Sequence, residues 1–287
     1  MKKILITGAN GQLGRKINDL SINNSELEFI FTDLPETDIT DADSIDKIFL
    51  DNQIGLIINC AAYTAVDKAE DDEENVYKAN AKGPELLAKK ASETGAKLIH
   101  ISTDYVFDGQ ANTPYTETDL EKPVSVYGRT KLEGEKLAIK NSSDCIIIRT
   151  SWLYSEYGNN FAKTMLKLAT EKEKLNVVFD QIGTPTYAGS LANAILQIVS
   201  DYCNSNIWKS GIYHYSDLGV CSWFDFAVFL LKQKNLNTPI FPVRSSEFIT
   251  RAQRPAYSVL DKSKIIKTYG VEIPHWTDGC LEMLGKI

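Results

Sequence analysis

Tyr127 and Lys131 form the pair of side chains with the clearest capacity for chemistry in this sequence. The run YGRTK at residues 127–131 has helical periodicity around it, so both side chains are expected on one helix face. At an effective dielectric constant of about 20, the attraction between an ammonium and a phenolate about 4 Å away is about 4 kcal/mol. That lowers a phenol pKa by roughly 3 units, which predicts Tyr127 as a proton donor near neutral pH. Many such pairs are simply a half-buried ring beside a solvated amine.

A glycine-rich segment near the N-terminus predicts a binding site for a dinucleotide pyrophosphate. TGANGQLG at residues 7–14 follows an apolar run and opens a segment with helical periodicity. Gly8 permits a tight turn, Gly11 a close approach of the backbone to phosphate, and Gly14 close packing of the helix, whose N-terminus offers free N–H groups. The spacing GxxGxxG also fits an ordinary turn. The expected cofactor contacts here are Gly8, Asn10, Gly11, Gln12 and Leu13.

Asp33 ends the second predicted strand, about 20 residues beyond the glycines. A carboxylate at this position accepts hydrogen bonds from an adenosine ribose, which favours NADH over NADPH. A solvated loop aspartate or a helix cap is the alternative. No arginine follows closely to bind a 2′-phosphate, which leaves Arg15 and Lys16 as candidates for that role.

The pair Ser102-Thr103 ends the fourth predicted strand. Open α/β sheets bind their ligands at the carboxyl edge, where these hydroxyls fall. A hydroxyl here can donate a hydrogen bond to a substrate carbonyl oxygen. We therefore expect Thr103 to polarise a carbonyl group next to Tyr127.

These residues need a scaffold that brings them together, and the first half of the sequence predicts one. Short β-branched runs alternate with amphipathic segments, which is typical of a parallel sheet buried on both faces. Strands are predicted at residues 3–7, 28–33, 55–61, 97–102 and 145–150, and helices at 12–20, 42–51, 75–94 and about 126–140. The predicted fold class is α/β, with a Rossmann-like doubly wound parallel sheet.

The pattern changes after residue 151. Helices are predicted at residues 160–170, 190–202 and 223–234, and strands at 175–179 and 211–215. We divide the chain into an NAD(P)-binding domain at 1–151 and a smaller C-terminal mixed α/β lobe at 152–287 that mainly binds substrate, with segments able to return to the first sheet. No Pro/Gly/Ser-rich linker separates them, so we expect a shared interface with a ligand cleft between the lobes.

Composition and charge exclude several function classes. The 287 residues carry a formal net charge of −7 without the basic stripe that nucleic-acid binding needs. No apolar run approaches the roughly 18 residues of a membrane span, and the run at residues 4–7 is too short for a signal peptide. The cysteines and histidines lack metal-ligand spacing. We expect a cytoplasmic protein with free thiols, no structural metal, no nucleic-acid partner and no membrane attachment.

The glycine turn, strand-end hydroxyl and YxxxK run resemble the extended short-chain dehydrogenase/reductases, and longer strings are similar to one family among them. These strings are GQLG at 11–14, NCAAYTAVDKAE at 59–70, STDYVF at 102–107, RTSWLY at 149–154, GNNF at 158–161, DQIGTPT at 180–186, and RP at 254–255 followed by Ser258 and Leu260-Asp261. From these strings, the chain is identified as a member of the dTDP-4-dehydrorhamnose reductase family. The resemblance implies reduction of dTDP-4-dehydro-6-deoxy-L-mannose at C4 to dTDP-L-rhamnose, a polysaccharide precursor, with NADPH or NADH as donor.

The resemblance also implies roles for individual residues. Tyr127 would protonate the sugar oxygen, with Asn80 supporting the proton transfer; the bland alternative for Asn80 is a surface amide. The implied catalytic residues are Thr103, Tyr127 and Lys131. The implied substrate contacts are Thr103, Asp104, Trp152 and Arg254. The implied cofactor contacts, besides the glycine turn and Asp33, are Asp38, Ile39, Ala61, Ala62, Tyr63, Tyr127 and Lys131.

Three of these implications have open alternatives. Trp152 is otherwise core at a strand end, and Arg254 is otherwise part of a surface ion pair. Some family members are dimers that bind magnesium through acidic residues. Arg15 and Lys16 stand where such a carboxylate is expected, which argues against a magnesium-linked dimer. Both a monomer and a homodimer remain open.

Other functions fit the same motifs. Sugar dehydratases of the superfamily carry Thr-Asp-Glu, whereas this chain has Thr103-Asp104-Tyr105 and lacks that elimination base. Another nucleotide-sugar reductase remains open, and so does an epimerase, which would hold its cofactor tightly without consuming it. Outside enzymes, the non-catalytic regulatory subunit of methionine adenosyltransferase shares this fold and some motifs. The intact Thr103, Tyr127 and Lys131 favour an enzyme.

Overall fold

A computed structural model describes residues 3–24 and 26–287 of the chain. The strands within these ranges are β1 Lys3–Thr7, β2 Phe29–Thr32, β3 Ile54–Asn59, β4 Lys97–Thr103, β5 Cys145–Thr150, β6 Leu153–Tyr154, β7 Leu175–Val178, β8 Ile182–Gly183, β9 Thr186–Tyr187, β10 Gly211–His214, β11 Cys221–Ser222 and β12 Ile240–Val243. The α-helices are α1 Gln12–Ser21, α2 Ala42–Leu50, α3 Val66–Ala69, α4 Glu73–Tyr77, α5 Gly83–Thr94, α6 Val126–Asn141, α7 Phe161–Glu171, α8 Ala188–Ser205, α9 Trp223–Gln233, α10 Ser263–Tyr269 and α11 Trp276–Leu284.

The largest sheet in the described chain consists of parallel strands in the order β10-β5-β4-β3-β1-β2. Strands β3 and β5 are buried along their whole length, because helices cover both faces of the sheet. The predicted Rossmann-like doubly wound sheet is therefore confirmed. The strand order reverses between β1 and β3, which is where open α/β sheets bind ligands beyond the carboxyl ends of their strands.

The helix predicted at residues 75–94 differs most from its prediction. It begins at Glu73, and a π-helical turn at Lys78–Lys82 separates α4 from α5. Pro84 has no N–H to donate to the carbonyl four residues earlier, that of Asn80, which favours the wider turn. The π turn brings the fully buried Asn80 against α6, where a Cβ on Gly134 would lie 2.0 Å from the Asn80 carbonyl oxygen.

Part of the chain beyond residue 151 returns to the first sheet. Strand β10 pairs with β5, and Leu191 and Ile195 of α8 share a core with Ile4 and Ile58. A second core forms around Tyr154 and includes residues of α7, α9 and α11. The structure therefore has a second hydrophobic centre, and the division at residue 151 stays a prediction.

Two kinds of feature are absent from residues 3–24 and 26–287. None of the helices there is both long and apolar enough to cross a membrane. No three His, Cys, Asp or Glu side chains in those ranges are grouped to hold a metal ion. The five cysteines are free thiols, as expected from their spacing.

Asp217 is a buried carboxylate at the start of α8. One of its oxygens accepts a hydrogen bond from the backbone N–H of Tyr187, the residue before α8, at 3.0 Å. Burial raises the pKa of Asp217 to about 7, although that hydrogen bond opposes the rise. A carboxyl group whose pKa is higher in the folded state destabilises the fold when it ionises, so its contribution worsens as pH rises from about 4 to 7.

We predict that Asp217→Asn raises the free energy of unfolding at pH 8 by roughly 2 kcal/mol. The amide keeps an acceptor for the Tyr187 N–H and cannot ionise, so the gain should shrink as pH falls toward 5. Urea unfolding at several pH values measures this dependence. Asp180→Asn is the matched control, because the Asp180 carboxylate accepts hydrogen bonds from the N–H and hydroxyl of Ser245 and should lose stability. A gain at Asp217 that is constant with pH would contradict the prediction.

Candidate active site

The glycine segment forms the predicted turn between β1 and α1. Gly8 has a φ of +64°, and a Cβ on it would lie 2.6 Å from the backbone nitrogen of Ala61, so glycine is required. A Cβ on Gly14 would lie 2.5 Å from the carbonyl oxygen of Gly8, which shows that α1 packs directly on the turn. Gly11 precedes α1 as its N-cap and has no side chain to occupy the first N–H groups. These groups can bind an anion.

A cleft of about 820 Å³ opens beside this turn. The predicted site residues that line it are Gly8, Gly11, Gln12, Leu13, Asp33, Asp38, Ile39, Ala61, Ala62, Tyr63, Thr103, Asp104, Tyr127, Lys131, Trp152 and Arg254. Asn10 lies instead in an adjoining depression of about 520 Å³, which Asp33 also borders. The structure thus places residues from strand ends, one helix and a distant loop around one space.

Asp33 connects the cleft to its adjoining depression. Its carboxylate accepts hydrogen bonds from the backbone N–H of Asn10 and of Leu34, both at 2.8 Å. The first of these bonds holds the glycine turn. Arg15 also borders the depression, whereas Lys16 is 3% exposed and pairs with Glu156 at 2.9 Å. Of the two cations considered for a 2′-phosphate, Arg15 is the one placed for that role.

Tyr127 lies in the first turn of α6, where the hydroxyl of the N-cap Ser125 accepts a hydrogen bond from the N–H of Gly128 at 3.1 Å. Burial raises the pKa of Tyr127, and a hydrogen bond with the Thr103 side chain lowers it in part. The predicted lowering of this pKa by Lys131 is therefore wrong. The Lys131 ammonium instead donates to the carbonyl oxygen of Ile101 at 2.6 Å, because its long side chain extends along α6 toward β4.

The pKa of Lys131 is also shifted from its usual value. Burial lowers the pKa of its ammonium to about 8, although the negative charge of Glu135 opposes this fall. Glu135 lies one turn further along α6, is 1% exposed, and pairs with the buried Arg149 at 2.7 Å. The lysine is thus held in the interior near a carboxylate whose charge Arg149 already balances.

Thr103 and Asp104 form a hydrogen-bonded pair at the end of β4. The Thr103 hydroxyl donates to the Asp104 carboxylate at 3.0 Å and accepts from the N–H of Tyr105 at 3.2 Å. Burial raises the pKa of Asp104 to about 6. The pair therefore presents a hydroxyl beside Tyr127 with its orientation already set.

Asn80 supports the wall of the cleft from behind. Its amide nitrogen donates to the carbonyl oxygen of Tyr63 at 3.1 Å, and its amide oxygen accepts from the N–H of Tyr63 at 2.8 Å. These two bonds hold the backbone that follows β3. The surface-amide alternative is wrong, because Asn80 is fully buried.

Trp152 has a φ of +46°, a left-handed conformation that costs about 1–3 kcal/mol for a residue other than glycine. Its ring stacks on Trp223, with centroids 3.4 Å apart and planes 6° from parallel. A Cβ on Gly183 would lie 2.6 Å from the indole, so glycine makes room for it. Trp152 therefore combines both alternatives, since it packs against core residues and also lines the cleft.

Trp223, Phe161 and Tyr105 line the same cleft, and sequence reasoning missed them as site residues. Trp223 begins α9 directly after Ser222, whose side chain forms a capping box with Asp225. The run SWFD at 222–225 has the spacing of that box, so it was the available signal for an aromatic ring at a helix start.

Arg254 joins the two sides of the cleft. Its guanidinium pairs with Asp67 at 2.7 Å and donates to the hydroxyl of Tyr105 at 3.4 Å. Asp67 also accepts a hydrogen bond from the N–H of Ala252 at 3.1 Å. Both alternatives for Arg254 are therefore present, since it forms an ion pair and also lines the cleft. The ion pair with Asp67 connects the loop before Arg254 to α3.

Comparison with known proteins agrees with this geometry. The family model described as RmlD substrate binding domain matches residues 1–287. A dTDP-4-dehydrorhamnose reductase from Aggregatibacter actinomycetemcomitans is 43% identical over 282 residues, covering 96% of each chain. This chain belongs to the dTDP-4-dehydrorhamnose reductase family. The spore coat polysaccharide biosynthesis protein SpsK of Bacillus subtilis is 39% identical, covering 99% of this chain and 97% of its own.

Solved structures of family members superpose closely. The dTDP-4-dehydrorhamnose reductase of Clostridium acetobutylicum gives a TM-score of 0.93 at 42% identity, covering 99% of each chain. The one from Bacillus anthracis, in complex with NADP, gives 0.92 at 36% identity, covering 100% of this chain and 99% of its own. A dTDP-glucose 4,6-dehydratase from Streptomyces venezuelae, at 17% identity and a TM-score of 0.83, shares the fold alone. The resemblance drawn from the sequence strings is confirmed.

Proposed function

We propose that this protein reduces the C4 keto group of dTDP-4-dehydro-6-deoxy-L-mannose to give dTDP-L-rhamnose, with NADPH or NADH as hydride donor. The observation that carries the proposal is one cleft that contains Thr103, Tyr127 and Lys131 beside the glycine turn, with Trp152 and Arg254 on its walls. Relatives named as dTDP-4-dehydrorhamnose reductases, 43% and 37% identical over nearly the whole chain, support the choice of substrate.

The residues of the cleft fit a nicotinamide dinucleotide. The turn at Gly8 and Gly14 leaves no room for a Cβ, and Gly11 leaves the start of α1 open to a pyrophosphate. Asp33 suits the adenosine ribose, and residues 61–63 suit the remainder of the dinucleotide. When bound, the reduced nicotinamide supplies the hydride for the carbonyl carbon.

Tyr127 provides the proton that the sugar oxygen needs. Because burial raises the pKa of Tyr127, the phenol stays protonated at neutral pH and serves as a general acid when charge develops on the oxygen at C4. The Thr103 hydroxyl, whose single hydrogen points to Asp104 in this structure, turns that hydrogen toward the same oxygen and stabilises the charge. Lys131 contributes ammonium donors for the ribose next to the reacting centre.

The far wall of the cleft suits a sugar nucleotide. The stacked rings of Trp152 and Trp223 offer a flat apolar surface for the hexose. Arg254 offers a planar guanidinium for the diphosphate, and its partner Asp67 is 44% exposed and able to release it to a doubly charged ligand. Both features set this cleft apart from that of a generic carbonyl reductase.

Tyr105 argues against a dehydratase. It occupies the position where sugar dehydratases carry their glutamate, and burial raises its pKa to about 12, so it cannot act as a base at neutral pH. An epimerase and another nucleotide-sugar reductase are separated from the proposed function by product analysis. A regulatory subunit without activity would consume no NAD(P)H.

We infer that the reaction takes place in the cytoplasm, with the protein as a monomer or homodimer. None of the steps assigned to Thr103, Tyr127 and Lys131 requires magnesium. Asp33 favours NADH, because a carboxylate repels a 2′-phosphate, while Arg15 in the adjoining depression favours NADPH. We therefore expect both donors to work, with the Asp33 charge limiting NADPH.

Tyr127→Phe should lower kcat by at least about 100-fold, because the proton donor is lost while the glycine turn is untouched. The assay is NAD(P)H oxidation with dTDP-4-dehydro-6-deoxy-L-mannose and a panel of other nucleotide 4-keto-sugars. NAD(P)H affinity, measured by fluorescence titration, should stay within about threefold of wild type. Turnover near the wild-type value would remove Tyr127 from the mechanism, and no oxidation by the wild type with any keto-sugar would overturn the proposed function.

Asp33→Asn should shift the ratio of kcat/KM values for NADPH and NADH toward NADPH by about 5-fold or more. The amide removes the charge and its oxygen keeps an acceptor for the Asn10 N–H, while its nitrogen takes the place of the oxygen that accepts from Leu34. Asp41→Asn, at an exposed N-cap outside the cleft, is the control and should leave the ratio unchanged. The same ratio in wild type and Asp33→Asn would mean that Asp33 does not face the ribose.

Arg254→Ala should weaken the binding of dTDP about 10-fold, as expected for the loss of one charge-assisted contact. Isothermal titration calorimetry measures this affinity directly. Arg251→Ala is the matched control, because Arg251 pairs with Asp71 on the surface at 63% exposure and should not affect dTDP. Equal effects of the two variants on dTDP affinity would mean that Arg254 has a purely structural role.

A further inference from the structure

A line of buried polar side chains crosses the sheet and ends at Lys131. The Thr7 hydroxyl donates to the Asn59 amide oxygen at 2.7 Å, and the Asn59 amide nitrogen lies 3.0 Å from His100 Nδ1. His100 Nε2 lies 3.5 Å from Lys131 Nζ. Thr7, Asn59 and His100 are cross-strand neighbours on β1, β3 and β4, and none is more than 1% exposed.

The hydrogen bonds of Asn59 determine which nitrogen of His100 has the proton. The backbone N–H of Ala61 donates to Asn59 at 3.1 Å, so the atom it meets must be the amide oxygen. The amide nitrogen, which is only a donor, therefore faces His100 Nδ1, and Nδ1 must accept. Burial and the charge of Lys131 hold the pKa of His100 well below its usual value, so the ring is neutral and its proton is on Nε2.

The Nε2–H of His100 then faces Lys131. The hydrogen is the positive end of the bond dipole, so it disfavours an ammonium and favours a neutral amine, whose lone pair accepts it. The other groups that act on Lys131 are the carbonyl of Ile101, which accepts its proton at 2.6 Å, and the charge of Glu135. The Cys60 thiol, whose pKa burial raises to about 12, is neutral in this range. The Ile101 carbonyl and Glu135 favour the ammonium, and His100 opposes them.

We propose that His100, fixed in its Nε2–H form by Asn59, is a positioning residue that makes the Lys131 ammonium easier to deprotonate. The proposal rests on the role of Lys131 in the proposed function. Tyr127 gives its proton to the sugar oxygen in each reduction and must regain one from solvent. A neighbouring lysine that exchanges its proton near neutral pH serves that return better than one that stays charged.

The tautomer of His100 is measurable in the wild-type protein without any substrate. A long-range ¹H–¹⁵N correlation spectrum of histidine-labelled protein contains signals from three histidines, and the His100 signal is the one missing in His100→Asn. We expect a neutral ring protonated at Nε2 from pH 6 to pH 9. A ring protonated at Nδ1, or an imidazolium in this range, would overturn the proposal whether or not any keto-sugar is reduced.

His100→Asn tests the effect on Lys131. The asparagine oxygen replaces Nδ1 as acceptor for Asn59, and the asparagine N–H groups, on a shorter side chain, do not reach the position that Nε2 occupies beside Lys131. The alkaline limb of the pH profile of kcat/KM, which reports groups of the free enzyme, should therefore move upward by about one pH unit. His214→Asn is the matched control, because His214 is an equally buried histidine on β10 that bonds to Tyr115 and should leave the limb in place.

The outcomes separate the two proposals. A limb that stays in place in a folded His100→Asn enzyme overturns the role of His100 while reduction itself still proceeds. A protein that reduces no keto-sugar but has the Nε2–H tautomer overturns the proposed function and leaves the assignment of His100 standing. If His100→Asn does not fold, the wild-type spectrum alone decides the tautomer.

Discussion

The contact between the backbone at Gly8 and the backbone at Ala61 is the constraint on which the site depends. A Cβ at Gly8 would lie 2.6 Å from the nitrogen of Ala61, so β1 and β3 stay in contact beyond their last hydrogen-bonded residues. A hydrogen bond of 2.7 Å from the Thr7 hydroxyl to the Asn59 amide oxygen connects the two strand ends. This contact sets where α1 begins, and with it the direction of the N–H groups that face the cleft.

The local sequence pattern was sufficient to predict the elements in the first half of the chain. Many elements in the second half depend on long-range contacts. The strands β1 and β5 have their predicted bounds, because continuous β-branched runs between turns have no competing structure. Strand β12 was not predicted, since it is short, has no buried residue and contains Pro242, and only pairing with β7 makes it a strand. Helices α10 and α11 were also missed, because each is short and depends on the core that it covers.

The same distinction applies to the site. Residues next to strand ends and glycines were predictable, because a parallel sheet brings its carboxyl ends together. The direction of the Lys131 side chain was not, since helical spacing orients a Cβ but leaves four further torsions to the surroundings. Trp223 and His100 were not predicted as functional residues, for a related reason. Their partners, Trp152 and Lys131, come from other elements, and no spacing within one segment indicates such a contact.

The π turn before α5 changes the phase of the helix on either side of it. One residue of a regular helix corresponds to a rotation of about 100°, so one inserted residue turns α4 by about that angle relative to α5. Val76 can therefore face Val126 in one small core while Leu87 faces the sheet in another. Removing one residue between them would give a more regular helix with one of these two faces in solvent. A local irregularity in hydrogen bonding is thus what allows a single helical segment to belong to two hydrophobic cores.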